Sequence, residues 1–152
     1  MADHALQFSE MIENITKEEH QWLEMYLAKP DEETEDMDKW WEERPELDRD
    51  LEPDMWPGCS YELRESDEKD SASWWIYADE NGYPEIVASV VRQFLHKFRP
   101  DNYFTLTWAE TCSKPRLSAF CGGGMFVTAK LEKFYNPWSE FDKEREKLKG
   151  KN

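Results

Sequence analysis

The chain has 152 residues, of which 35% are charged and 14% aromatic, and a formal net charge of −15. At that length one domain buries roughly 70% of the surface its unfolded chain exposes, and eight Trp exclude wholesale disorder. The charge disfavours direct binding to nucleic acid, because Lys and Arg contacts to phosphate supply most non-specific affinity.

No apolar stretch approaches the ~20 residues that span a bilayer. The opening Met-Ala-Asp-His lacks the basic and apolar regions of a secretory signal, so a cytoplasmic protein without membrane contact is expected. Cys59, Cys112 and Cys121 have neither the even number of a disulfide framework nor the close pairs of a zinc site. Reduced thiols are expected. His4, His20 and His96 show no ligand spacing, so no metal and no cofactor is expected.

Charge is divided unevenly along the chain. Residues 1 to 70 hold 24 acidic and 7 basic side chains, a balance of −17, whereas residues 71 to 152 hold 10 and 12, a balance of +2. An acidic face that attracts a basic partner follows from this asymmetry.

Thr16 and Glu19 form a capping-box pattern, and Trp22, Leu23, Tyr26 and Leu27 share one face of the helix this predicts over 17–28, which Pro30 ends. Residues 31–57 are dense in carboxylates and rich in proline after Trp41, which reads as an irregular segment pinned by Trp40, Trp41 and Trp56. Its acidic side chains Glu32, Glu33, Glu35, Asp36, Asp38, Glu42 and Glu43 are the candidate acidic interface; the alternative is a solvated loop.

Residues 60–64 and 73–78 read as two strands of a hairpin across the polar run 65–70. Asn81-Gly82 marks a turn, and Pro84 suits the first position of a helix, where its missing amide hydrogen has no partner to lose. Ile86, Val87, Val90, Val91, Phe94, Leu95 and Phe98 then recur at three and four, which predicts a helix over 84–98 with a cationic end and a stop at Pro100. Residues 103–108 and 125–129 read as strands, and Asn136-Pro137 starts a last helix carrying Trp138 and Phe141.

The elements read β-β-α-β-β-α. An α+β fold follows: a four-stranded, largely antiparallel sheet with a packed central helix, preceded by an N-terminal helix and the acidic irregular segment. One domain spans 1–152, with an acidic part at 1–58, an α+β core at 59–135, and a terminal helix with charged tail at 136–152.

Between the two later strands stand Ala109, Thr111, Cys112, Ser113, Lys114, Pro115 and Arg116, then Phe120, Cys121 and Gly122–Gly124, closing on Val127-Thr128-Ala129. With Trp75-Ile76-Tyr77 and Phe98-Arg99-Pro100-Asp101, this stretch of about 60 residues (73–130) resembles a family of short, uncharacterised bacterial and bacteriophage proteins. In that family the glycines follow Phe directly, whereas Cys121 intervenes here. The resemblance implies a phage or mobile-element protein working in the cytoplasm of a bacterial host. It carries no established activity.

Two readings of that element stand side by side. Lys114 and Arg116 beside Gly122, Gly123 and Gly124, with Cys112 and Ser113, suit an anion or small ligand such as a nucleotide. The plainer reading is a connection whose glycines make tight turns and whose Arg116 is held by Glu110. A third, a reactive Cys112 beside Lys114, is also open.

No nucleophile and base share a recognisable spacing. The leading expectation is a non-enzymatic protein that binds a basic protein, in the manner of a nucleic-acid charge mimic. A ligand-binding module and an enzyme are the alternatives.

Overall fold

A computed structural model describes residues 4–28, 36–45, 47, 55–65, 71–116 and 120–150. In chain order they form β1 (His4–Ile12), α1 (Lys17–Leu27), α2 (Met37–Glu42), β2 (Ser60–Glu65), β3 (Ala72–Ala78), α3 (Pro84–Phe98), β4 (Tyr103–Cys112), β5 (Cys121–Thr128), β6 (Glu132–Tyr135) and α4 (Pro137–Lys149). The fold is α+β, with one open sheet of six strands rather than four, in the order β2-β3-β1-β4-β5-β6. Every neighbouring pair is antiparallel.

The two additional strands are β1 and β6. β1 escapes a pattern search because Ala5-Leu6 and Met11-Ile12 break the alternation of apolar and polar residues. Only Phe8 and Ile12 are buried, while Glu10 shares their face and stays exposed. Its place is the middle of the sheet, between β3 and β4, which are distant in sequence. The expected hairpin is present as β2 and β3, with Tyr61 opposite Ile76 and Leu63 opposite Trp74.

One face of the sheet is covered. α3 starts at Pro84 and buries Ile86, Val87, Val90, Val91, Phe94 and Leu95 against Phe104, Leu106, Met125 and Val127 of the sheet and against α1. Such a doubly covered helix needs the wide apolar stripe its sequence shows. The opposite face turns out Trp75 stacked on Tyr77 (3.9 Å between ring centres) and Tyr103 stacked on Phe126 (5.1 Å).

α1 has the expected capping box: Thr16 Oγ1 accepts from the Glu19 amide at 3.1 Å, and the Glu19 carboxylate accepts from the Thr16 amide at 2.9 Å. The same carboxylate, buried, is gripped by Arg99 at the end of α3, Nε to Oε2 at 2.8 Å and an Nη to Oε1 at 3.2 Å. Arg99 also donates to the carbonyls of Glu13 and Asn14, both at 3.0 Å. One guanidinium thus ties the end of α3 to the turn between β1 and α1.

Candidate functional site

The acidic segment is not irregular throughout. Asp36 caps α2, its carboxylate accepting from the amides of Asp38 (3.0 Å) and Lys39 (3.4 Å), because a helix start leaves amides without partners inside the helix. Asp36 therefore serves the helix as a cap, and Asp38, Glu42 and Glu43 are exposed around it. Glu32, Glu33 and Glu35 lie outside the described residues.

What holds α2 in place is the inner side of the same segment. Trp40 is buried and meets Trp41 and Trp56 edge to face, at 5.0 and 5.6 Å. Arg44, 4% exposed, stacks its guanidinium over Trp40 (4.3 Å) and Tyr26 (5.0 Å) and donates to the carbonyls of Tyr26 (2.9 Å) and Met25 (3.4 Å). Those carbonyls belong to the last turn of α1, which has no basic residue of its own. Arg44 supplies the missing positive charge at that negative helix end. Within the described part of the segment the tryptophans do pin it, and they pin Met37–Glu42 as a helix docked on α1.

α1 adds exposed Glu18 and Glu24, and the edge strand β2 adds exposed Glu62 and Glu65. Glu24 stands near β2: the Tyr61 phenol is pushed above its ordinary range by burial first, and then by the electrostatic influence of Cys59 and Glu24. Since β2 is an edge of the sheet, Glu62 and Glu65 stand on that edge, with Glu24 of α1 close to it. Cys59, on the same side, has its thiol pushed up to about 12 by burial.

The glycines of the second candidate are strand residues. Gly122, Gly123 and Gly124 belong to β5 and lie opposite Ala109, Trp108 and Thr107 of β4, with Gly124 also opposite Tyr135 of β6. A loop that wraps an anion in its amides is not their role here, since the ladder to β4 engages this stretch. A Cβ on Gly123 would stand 2.3 Å from the Trp108 ring and 2.9 Å from the Tyr135 carbonyl. Glycine at 123 makes room for the indole laid across it, a requirement of packing rather than of turning.

Lys114 and Arg116 are exposed in the connection after β4, whose residues 117–119 lie outside the described ones. Arg116 and Glu110 form no ion pair, and Arg116 donates its amide to the Lys114 carbonyl at 2.8 Å. Cys112 is half-buried at the end of β4 opposite His4, and Ser113 follows it, exposed. Glu110 stands opposite Leu6 and Cys121.

Among the described residues no group of three His, Cys, Asp or Glu side chains is arranged to hold a metal ion, and no helix is long and apolar enough to cross a membrane. No protein-family model, curated protein or solved structure matches the chain.

Proposed function

We propose that the protein acts by binding a basic protein, with the carboxylates of α1, α2 and β2 as the contact surface, and that it does so without catalysing a reaction. The observation that carries this reading is the anchoring of α2. Trp40 and Arg44 fix the helix from inside, so that Asp38, Glu42 and Glu43 are presented on ordered backbone instead of a free loop. Ordered charge costs less entropy to dock than charge on a mobile segment.

Exposed carboxylates on three elements of a molecule of charge −15 have the sign of a nucleic-acid backbone, which a groove built for one attracts. In the phage or mobile-element setting suggested by residues 73–130, the partner is a host defence or regulatory protein in the bacterial cytoplasm. The exposed cations Lys114 and Arg116 are the one feature that favours the second reading, a phosphate-bearing small ligand.

The experiment is capture from a bacterial lysate at low and high salt, with mass spectrometry of what is retained, followed by association rates for the captured partner. Reversal of Asp38 and Glu42 to Lys, sparing Glu43, whose carboxylate lies 3.8 Å from the buried Arg44, slows association and flattens its salt dependence, while the unfolding midpoint stays put because exposed charges contribute little to stability. Equal rates for the two proteins at every salt concentration would remove the acidic surface from the interface.

A further inference from the structure

The sheet is divided along part of its length. β1 pairs with β4 only from His4 opposite Cys112 to Phe8 opposite Trp108, and with β3 from Phe8 opposite Ala78 to Ile12 opposite Trp74. Past Phe8, β1 follows β3, and the first half of β4 follows β5. Between them opens a cavity of about 350 Å³, within the range that small ligands occupy. Its floor is Val91, Phe94 and Leu95 of α3, and Glu10 and Glu13 stand on its wall.

The two banks are strand edges. The Leu6 amide donates to Glu80 and the Leu6 carbonyl accepts from Gly82, so even-numbered residues of β1 turn their peptide groups away from β4. Strand alternation turns those of Ala5 and Gln7 toward β4, opposite Thr111 and Ala109. By the same alternation Met11 on one bank and Thr105 on the other turn theirs into the opening. The Met11 amide is bonded at 3.0 Å by the carboxylate of its own neighbour Glu10, in place of a strand.

We propose that this opening is a docking slot for an extended peptide that carries basic side chains, inserted as an added strand between β1 and β4. Facing strand edges recognise an extended backbone, since only that geometry meets the peptide groups of both banks. Glu10 and Glu13 select positive charge, and the cation lining the slot, Arg99, is already engaged by Glu19. Because β1 and β4 run antiparallel, the inserted strand is antiparallel to one bank and parallel to the other. The slot is separate from the carboxylate surface of α2 and β2, and it stands or falls independently of that surface.

The probe is a capped heptapeptide of alternating lysine and valine, titrated into the full chain with amide shifts and hydrogen exchange as readouts. Shifts centred on residues 9–13 and 103–107, with at least about tenfold slower exchange at Met11 and Thr105, are expected. Methylating alternate backbone nitrogens of the peptide keeps its charge and removes donors along one edge, and weakens binding about tenfold. Glu10→Gln combined with Glu13→Gln weakens it about fivefold. Thr105→Pro also weakens it and spares the ladder to β5, because the Thr105 amide faces the slot. Shifts confined to α2 and β2, equal affinity for the methylated peptide, or no perturbation at millimolar concentration overturns the proposal.

Discussion

Arg99→Met tests how the two helices are joined. The substitution keeps the aliphatic stem and removes the guanidinium that holds Glu19 at 2.8 and 3.2 Å and bonds the carbonyls of Glu13 and Asn14. The Glu19 side chain is 5% exposed, so its charge is left inside with only the Thr16 amide and its own helix start for support. Stranding one member of a buried pair costs about 3 to 5 kcal/mol, against the ~0.2 to 1 kcal/mol of an exposed pair. With a urea dependence of about 2 kcal/mol per molar, the unfolding midpoint falls by about 2 M.

Acid supplies the second readout. Burial raises the Glu19 pKa, but the hydrogen bond from Arg99, that from the Thr16 backbone, the Arg99 charge and the Thr16 hydroxyl outweigh it, and the folded value lies below 4.5. A depressed carboxylate pKa gives stability that is full above the unfolded value and is lost as pH falls through the folded one. The wild type therefore loses this contribution on acidification below 4.5, and the gap to Arg99→Met narrows. A midpoint shift under about 0.5 M, or a gap as wide at about pH 3.5 as at neutrality, refutes the reasoning.

Gly123→Ala forces a methyl into the Trp108 ring and costs about 1 to 3 kcal/mol by thermal or urea unfolding, whereas Gly124→Ala, with its nearest neighbour at 3.5 Å, costs less. Equal losses would mean the indole has room to move. The Cys59 side chain is half-buried and its thiol, pushed up to about 12, stays protonated at about pH 8; peptide mapping after a short thiol-reagent pulse shows it labelled slowly, and labelling as fast as in the unfolded chain contradicts the burial argument. Titration with nucleotides at millimolar concentration moves the amides of Lys114 and Arg116 if a phosphate ligand docks there. The strand position of Gly122–Gly124 predicts that the glycine amides move much less.

Several elements were legible because their signals are local. The capping box at Thr16 and Glu19, the proline at the start of α3 and its wide apolar stripe each lie within one element, where spacing of three and four residues is a direct consequence of helix geometry. β3, β4 and the second half of β5 announced themselves through aromatic and β-branched residues, and β2 through its place before the polar run 65–70. The concentration of carboxylates in the first half was a matter of counting. The tryptophans of the acidic segment marked where it would be anchored, though not that Trp40 and Trp41 would lie on a helix.

The remaining decisions belong to partners far apart in the chain. β1 lacks a clean alternation and is a strand because Ala78 and Trp108 both lie beside Phe8, 70 and 100 residues later. The same three glycines read alone suit a turn; they become strand because they pair with β4 and β6, and Gly123 there leaves the space that Trp108 of β4 fills. Glu19 reads as a cap by sequence, and only the approach of α3 brings Arg99 to make it a buried ion pair. The slot between β1 and β4 has no sequence signature at all, since it is created where one strand changes its allegiance between two neighbours. Residue types and spacing determined which segments had to bury a face; the tertiary structure decided what each face would meet, because hydrogen-bond ladders and packing join residues that no local pattern connects.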